Sequence, residues 1–292
     1  MDELGQLLHA YVDRIEADLR LWLVEPLTPP TLAEAMNYCV LGGGKRLRPA
    51  MVYLAAEAVG NGPPDEMTRR AAVAVEMVHA YSLVHDDLPA MDDDTLRRGQ
   101  PTAHVKFGEA MAILAGDALL TRAFGVLSAT GDNRCPALVA ELASAAGSAG
   151  MIAGQVADMN LCPVPPGLEG LEMIHSRKTA AMIRASVRMG AICGGAEEAV
   201  LAAIGNYGES LGLAFQLIDD MLDATASAEE LGKTPGKDAR WGKRTHMEVI
   251  GPARTRELGR QLTRSAVEAT KPLGESAGKL RRLVELLEHR TH

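Results

Sequence analysis

Five residues, Asp219-Asp220-Met221-Leu222-Asp223, place three carboxylates in an otherwise apolar stretch. On a helix turning about 100° per residue, Gln216, Asp219, Asp220 and Asp223 share one sector about 100° wide. Leu211, Leu213, Ala214, Phe215, Leu217, Ile218, Met221 and Leu222 fill the rest of the circle. A helix this apolar is a buried one, and its single polar sector faces either the surface or an internal cavity. Carboxylates crowded on one sector repel each other, and a bound divalent cation offsets that repulsion. A motif this short recurs by chance. Its reading therefore depends on what else the chain carries.

A second acidic cluster, Asp86-Asp87-Leu88-Pro89-Ala90-Met91-Asp92-Asp93-Asp94, lies far away in sequence. It ends a predicted helix over 66–88, whose apolar ladder is Val73, Met77, Tyr81, Val84 and Leu88. His79, Ser82 and Asp86 share another face at i, i+3 and i+7. Pro89 cannot continue the helix without losing a hydrogen bond, so the backbone loosens there and lets Asp86 and Asp92 converge. Asp92, Asp93 and Asp94 are not equivalent, and at least one of them is a solvated charge. Carboxylate oxygens are hard ligands suited to Mg2+, with Mn2+ as a substitute. Since Mg2+ keeps few protein ligands and completes its shell with water and phosphate, the aspartates imply a phosphorylated substrate.

Cations that would meet such a phosphate occur in four places. Lys45, Arg46 and Arg48 follow three glycines and open a helix, where backbone N–H groups also face an anion. Arg97 and Arg98 follow the first acidic cluster, Lys178-Thr179 sits in a helical stretch, and Lys233 and Lys243 bracket a glycine-rich loop after the second cluster. Singly, each is an ordinary surface cation. Together they fit a diphosphate site, and His79, two turns before Asp86, faces the same way.

These residues must be held by helices. The chain has 292 residues, 47% of them hydrophobic and only 3% aromatic, and alanine and leucine dominate. Helical periodicity covers roughly ten segments, 3–24, 31–41, 49–60, 66–88, 104–129, 135–161, 168–193, 197–224, 244–269 and 275–290, separated by Pro and Gly breaks too short to link domains. The expectation is a single all-α domain over 1–292. The formal charge of −8 argues against nucleic acid, which demands a basic excess. Four dispersed cysteines indicate a reducing, cytoplasmic setting. The acidic N-terminus lacks signal-peptide character, and no apolar run is expected to span a bilayer. Gly44-Lys45 is followed by Arg46, and Ser227 occupies the first-glycine position before Gly232-Lys233-Thr234, so neither is a P-loop.

The motifs resemble those of trans-prenyltransferases of the polyprenyl diphosphate synthase family. GGGKRLRP, HAYSLVHDDLPAMDDDTLRRGQPTAH, GDALL, GQVADM, the Lys-Thr pair, FQLIDDMLD and GKTPGKDARWGK appear in family order over roughly residues 35 to 245. The chain is most like the bacterial farnesyl diphosphate synthases. The resemblance implies the isoprenoid synthase fold, with helices around a central apolar cavity, and a homodimer. It implies an allylic diphosphate gripped by Mg2+, three ions with substrate bound, on Asp86, Asp87 and Asp92 from one side and Asp219, Asp220 and Asp223 from the other. Arg97, Lys178, Thr179, Gln216, Lys233 and Lys243 would contact that diphosphate or shield the cation formed from it. Isopentenyl diphosphate would lie on Lys45, Arg48, His79 and Arg98. Gln155 and Asp158 would support the site from behind.

The same resemblance makes Tyr81, with Ser82 one turn from Asp86, the limit on product length at fifteen carbons. The sequence departs from the family at Thr245-His246-Met247, where Tyr-Pro ordinarily follows Thr, so the loop end after Lys243 is expected to be shaped differently. Three rival readings stand beside farnesyl synthesis: a geranylgeranyl synthase, a terpene cyclase, and a non-catalytic subunit that binds prenyl diphosphates. Lys45 and Arg48 have no use in a cyclase, and intact aspartates in both clusters speak against a non-catalytic role.

Overall fold

The computed structural model describes residues 3–60, 62–225 and 245–289, with side chains described to 222 in the middle segment. Among the described residues it is all-α apart from one small hairpin. The helices are α1 (Glu3–Trp22), α2 (Pro30–Leu41), α3 (Leu47–Val59), α4 (Glu66–Asp86), α5 (Ala103–Phe107), α6 (Glu109–Ser128), α7 (Cys135–Ala146), α8 (Met151–Asp158), α9 (Leu168–His175), α10 (Ala181–Cys193) and α11 (Glu198–Thr225). They continue with α12 (His246–Val249), α13 (Pro252–Ala269) and α14 (Gly278–Glu288). A π-helical turn (Ser176–Ala180) joins α9 to α10, and a 3-10 segment (Lys271–Ala277) precedes α14. Antiparallel strands β1 (Leu96–Arg97) and β2 (Gln100–Pro101) form the hairpin after the first acidic cluster.

α4 and α10 are the inner helices. α4 packs on α1, α3, α6 and α10, while α10 packs on α3, α7 and α11. Burial of α4 is nearly continuous from Met67 to Met77, which explains why its apolar ladder reads so plainly. Its start is fixed by Asp65, whose carboxylate accepts from the Thr68 amide at 2.9 Å. Two close crossings depend on glycine: a Cβ at Gly154 of α8 would overlap the Lys178 backbone, and one at Gly212 of α11 would overlap Ala180. These crossings press α8 and α11 against the π turn from two sides.

The structure divides several expected helices. The stretch 104–129 breaks at Gly108, which has φ +84°, and 135–161 breaks between Gly147 and Gly150. Gly251, with φ +76°, separates α12 from α13. The expectation about apolar length is corrected. Segments 109–128 and 135–158 are long and apolar enough, by length and composition, to cross a membrane. Alanine-rich stretches with few charges reach that threshold by composition alone, and α6 buries Ala112, Ala115, Leu119, Ala123, Val126 and Leu127 within the bundle. Its opposite side exposes Ile113 and Leu114.

Candidate active site

The first acidic cluster folds back on itself, as the position of Pro89 predicts. The Asp92 amide donates to the Asp86 carbonyl at 2.8 Å, and the Asp94 amide to the Asp87 carbonyl at 3.2 Å. Asp86 and Asp92 are half-buried. Asp93 is exposed, with a left-handed φ of 52° that turns the loop. Asp87 has a different surrounding from its neighbour. It is buried and takes a forked ion pair from Arg97, with Nε at 2.9 and 2.8 Å from the two carboxylate oxygens and Nη2 at 2.6 Å. Burial pushes the Asp87 carboxyl up, and Arg97 pulls against that.

Behind this cluster stands the helix that carries GQVADM. Gln155 Nε2 donates to Asp86 Oδ1 at 2.7 Å, and Asp158 Oδ2 accepts from Lys178 Nζ at 2.6 Å. One turn of α8 therefore orients a carboxylate of the first cluster and the lysine of the Lys-Thr pair together. Lys178 and Thr179 lie on the π turn, a helical irregularity that often marks functional positions. Thr179 Oγ1 donates to Gln216 Oε1 at 3.1 Å, and Gln216 Nε2 donates to Asp220 Oδ1 at 3.1 Å. The second acidic cluster is thus tied into the same network.

Asp219 and Asp220 also part company. Asp219 is half-buried, whereas Asp220 is 7% exposed and faces inward. Its second oxygen accepts from the His246 amide at 2.9 Å and pairs with His246 Nδ1 at 2.8 Å. Burial works to raise the Asp220 carboxyl, but the hydrogen bonds from His246 and Gln216 outweigh it and hold the group below the ordinary carboxylate range. Asp87 and Asp220, both expected to hold metal, are buried and held by Arg97 and His246. The Asp223 side chain, Lys233 and Lys243 lie outside the described residues.

The basic side of the site is built around the glycine loop. Gly43 and Gly44 have φ of +92° and +139°, and the Arg98 guanidinium lies 3.0 Å from where a Gly44 Cβ would stand. Arg98 donates to the Gly43 carbonyl, so the loop before α3 and the hairpin after α4 close on each other. Arg48 Nη1 approaches His79 Nε2 at 3.3 Å. Burial, and then the charges of Arg48, Arg98, Arg97 and Arg46, hold His79 well below its usual range, so it is neutral near pH 7. Burial also lowers Arg48, opposed by Glu76 and by Asp219 of the second cluster. Such a concentration of positive charge around a neutral imidazole can attract an anion. Lys45 stands exposed at its edge.

Arg46 does not share this task. Its backbone is left-handed, and its guanidinium is buried against Glu76 at 2.6 Å, Glu16 and the Val40 carbonyl. Sequence reading found Arg46 but not Glu76, and it missed His175, which packs on His246 with ring centroids 4.9 Å apart. The departure at Thr245-His246-Met247 was the signal for His246. His175 offered none, because its partners come from α11 and α12. Tyr81 is buried, its ring edge-on to His85 at 5.7 Å, and its hydroxyl has no hydrogen-bond partner among the described residues. His85 fills the notch at Gly116, so its ring sits between α4 and α6 with the Tyr81 ring beside it. Ser82 Oγ donates to the His79 carbonyl at 2.9 Å.

Comparison with known proteins gives a consistent result. The sequence profile of the family described as polyprenyl synthetase matches residues 29–286. Farnesyl diphosphate synthase of Escherichia coli is 46% identical over 258 residues, 86% of each chain. Geranylgeranyl pyrophosphate synthase 12 of Arabidopsis thaliana, a chloroplast protein, is 46% identical over 274 residues, 91% of this chain and 75% of that one. The solved geranyltransferase of Helicobacter pylori, complexed with magnesium and isoprenyl diphosphate, superposes with a TM-score of 0.83 at 32% identity, covering 99% of this chain and 97% of that one.

Proposed function

The chain belongs to the polyprenyl synthetase family, and on that premise we propose that it condenses isopentenyl diphosphate with dimethylallyl or geranyl diphosphate and stops at farnesyl diphosphate. The observation that carries this reading is the contact path Asp86–Gln155, Asp158–Lys178, Thr179–Gln216–Asp220. It joins two aspartate motifs more than a hundred residues apart through the residues that would hold a diphosphate between them.

The donor set fits Mg2+: Asp86, Asp92 and Asp219 offer hard carboxylate oxygens only. Three ions would be held with substrate, Asp223 would join their ligands, and Mn2+ would substitute. Bound there, the metal supplies the positive charge that a departing diphosphate requires. Lys178, aimed by Asp158, Thr179 and Gln216 would hold the allylic diphosphate and face the carbon skeleton, and Arg97, Lys233 and Lys243 would contact its phosphates. Arg48, His79, Arg98 and Lys45 would hold isopentenyl diphosphate.

The allylic carbon–oxygen bond breaks with its electron pair leaving on the diphosphate. The double bond of isopentenyl diphosphate attacks the allylic cation, and a proton passes to the departed diphosphate. Electrostatic stabilisation of that leaving group is the main contribution of the residues. Apolar walls keep water from quenching the cation.

Tyr81 would close the apolar shaft below Asp86. A geranylgeranyl product is the second reading, favoured by the identity to the Arabidopsis enzyme. The apolar outer side of α6, with Ile113 and Leu114, would be covered by a second copy in a homodimer. Four free thiols fit a reducing cytoplasm. The test is incubation with isopentenyl diphosphate and each allylic primer, with and without Mg2+, followed by product chromatography. Magnesium-dependent farnesyl diphosphate is the expected result. A twenty-carbon product selects the second reading, and no turnover with Mg2+ overturns both.

A further inference from the structure

His175, Asp220 and His246 come from α9, α11 and α12 and meet in the interior, all three buried. Their ligand atoms lie within 4.8 Å of one another. His246 Nδ1 is 2.8 Å from Asp220 Oδ2, while His175 Nδ1 is buried and has no hydrogen-bond partner among the described residues. An orphaned buried nitrogen is costly, and a native structure ordinarily provides it with a partner. The site is chemically unlike the carboxylate set that suits magnesium. Two imidazoles and one carboxylate form a borderline-soft donor group.

We propose that His175, Asp220 and His246 bind one Zn2+ ion, with water in the fourth position. Ligands about 2.0–2.2 Å from zinc stand roughly 3.4 Å apart in a tetrahedron. Side-chain adjustment of about 1 Å closes the group to that size. Zinc takes the place of the hydrogen between His246 Nδ1 and Asp220 Oδ2, and the imidazole proton moves to Nε2. It also gives His175 Nδ1 the partner it lacks among the described residues. The ion ties the end of α11 to α9 and to the start of α12. Zinc here is structural, and prenyl transfer in Mg2+ alone does not depend on it.

The test is calorimetric titration of Zn2+ into the tag-free, chelator-stripped full-length chain in Mg2+ buffer. It is paired with nuclear magnetic resonance of the histidine rings in the wild-type chain. The expected result is one saturable equivalent, shifts of the His175 and His246 ring resonances, a raised Tm, and at least about tenfold weaker binding in His246→Phe. Absence of saturable binding overturns the proposal, as does binding that leaves both ring resonances unmoved or is as tight in His246→Phe. The ring resonances decide the matter even if the variant fails to fold.

Discussion

Gln155 Nε2 donates a 2.7 Å hydrogen bond to Asp86 Oδ1, so a neutral amide on α8 fixes the rotamer of the carboxylate that ends α4. The partner is an uncharged amide, so this bond orients the Asp86 carboxylate without itself neutralising it. Three residues further along the same helix, Asp158 performs the complementary task for Lys178 at 2.6 Å. A single helix thereby sets the spacing between Asp86, proposed to hold metal, and Lys178, proposed to hold phosphate. Gly154 allows that helix to press on the π turn.

Gln155→Ala should leave the fold intact and release Asp86 from its fixed orientation. Loss of a partner that orients a metal ligand typically costs about 10- to 100-fold in affinity or activity. The expected outcome is a rise of that order in the Mg2+ concentration for half-maximal turnover, with an unchanged circular dichroism spectrum. An unchanged magnesium requirement removes the role assigned to Gln155.

Glu76→Ala should destabilise the chain. It leaves Arg46, whose side chain is 1% exposed, short of one of its two carboxylate partners inside the bundle. Breaking a buried pair from one side costs about 3–5 kcal/mol, and the remaining bond to Glu16 keeps the loss near the lower figure. A urea titration measures it. Equal midpoints for variant and wild type would show that the pair has no such role.

Much of this site is legible in the sequence, and the reasons differ by residue. Asp219 and Gln216 are readable because helical periodicity alone puts them on one face, and Asp86 and Asp92 because Pro89 must break the helix between them. Arg46 and Arg48 carry the same local signal two residues apart, yet one points to Glu76 and the other to His79. Which is which depends on the left-handed turn at Arg46 and on where α4 lies, and neither is a local property. Asp87 and Asp220 are likewise indistinguishable in sequence from the carboxylates beside them. Arg97 and His246, brought in by tertiary packing, turn them inward. The helix breaks at Gly108 and between Gly147 and Gly150 escaped notice because alanine-rich periodicity continues across them.

Tyr81→Ala should lengthen the product. Its ring lies edge-on to His85 and close to Asp86, where the proposed function puts the closed end of the apolar shaft. Chromatography of the products should show chains beyond fifteen carbons, at the expense of farnesyl diphosphate. An unaltered product profile would detach Tyr81 from length control.

Acid should destabilise the chain through His79. The unfolded residue takes up a proton near pH ~6.5, and the folded one resists it to a lower pH because of burial and the surrounding guanidiniums. Between those two values the unfolded state binds more protons, so stability falls as pH falls. One such group contributes at most about 1.4 kcal/mol per pH unit. Urea midpoints of wild type and His79→Gln, compared near neutrality and about two pH units below it, should show the smaller drop in the variant. Equal drops would mean that His79 protonates freely in the folded chain.

The joint grip of the two acidic motifs is measured most directly by a double-mutant cycle on magnesium-dependent binding of a non-ionisable allylic diphosphate analogue. The variants are Asp86→Asn, Asp219→Asn and the pair together. If both carboxylates hold the same magnesium–diphosphate assembly, either single change removes most of the tightening that Mg2+ produces, and the double variant loses little more. Strictly additive losses, or full magnesium-dependent tightening in either single variant, would mean that the two motifs do not act on one ligand.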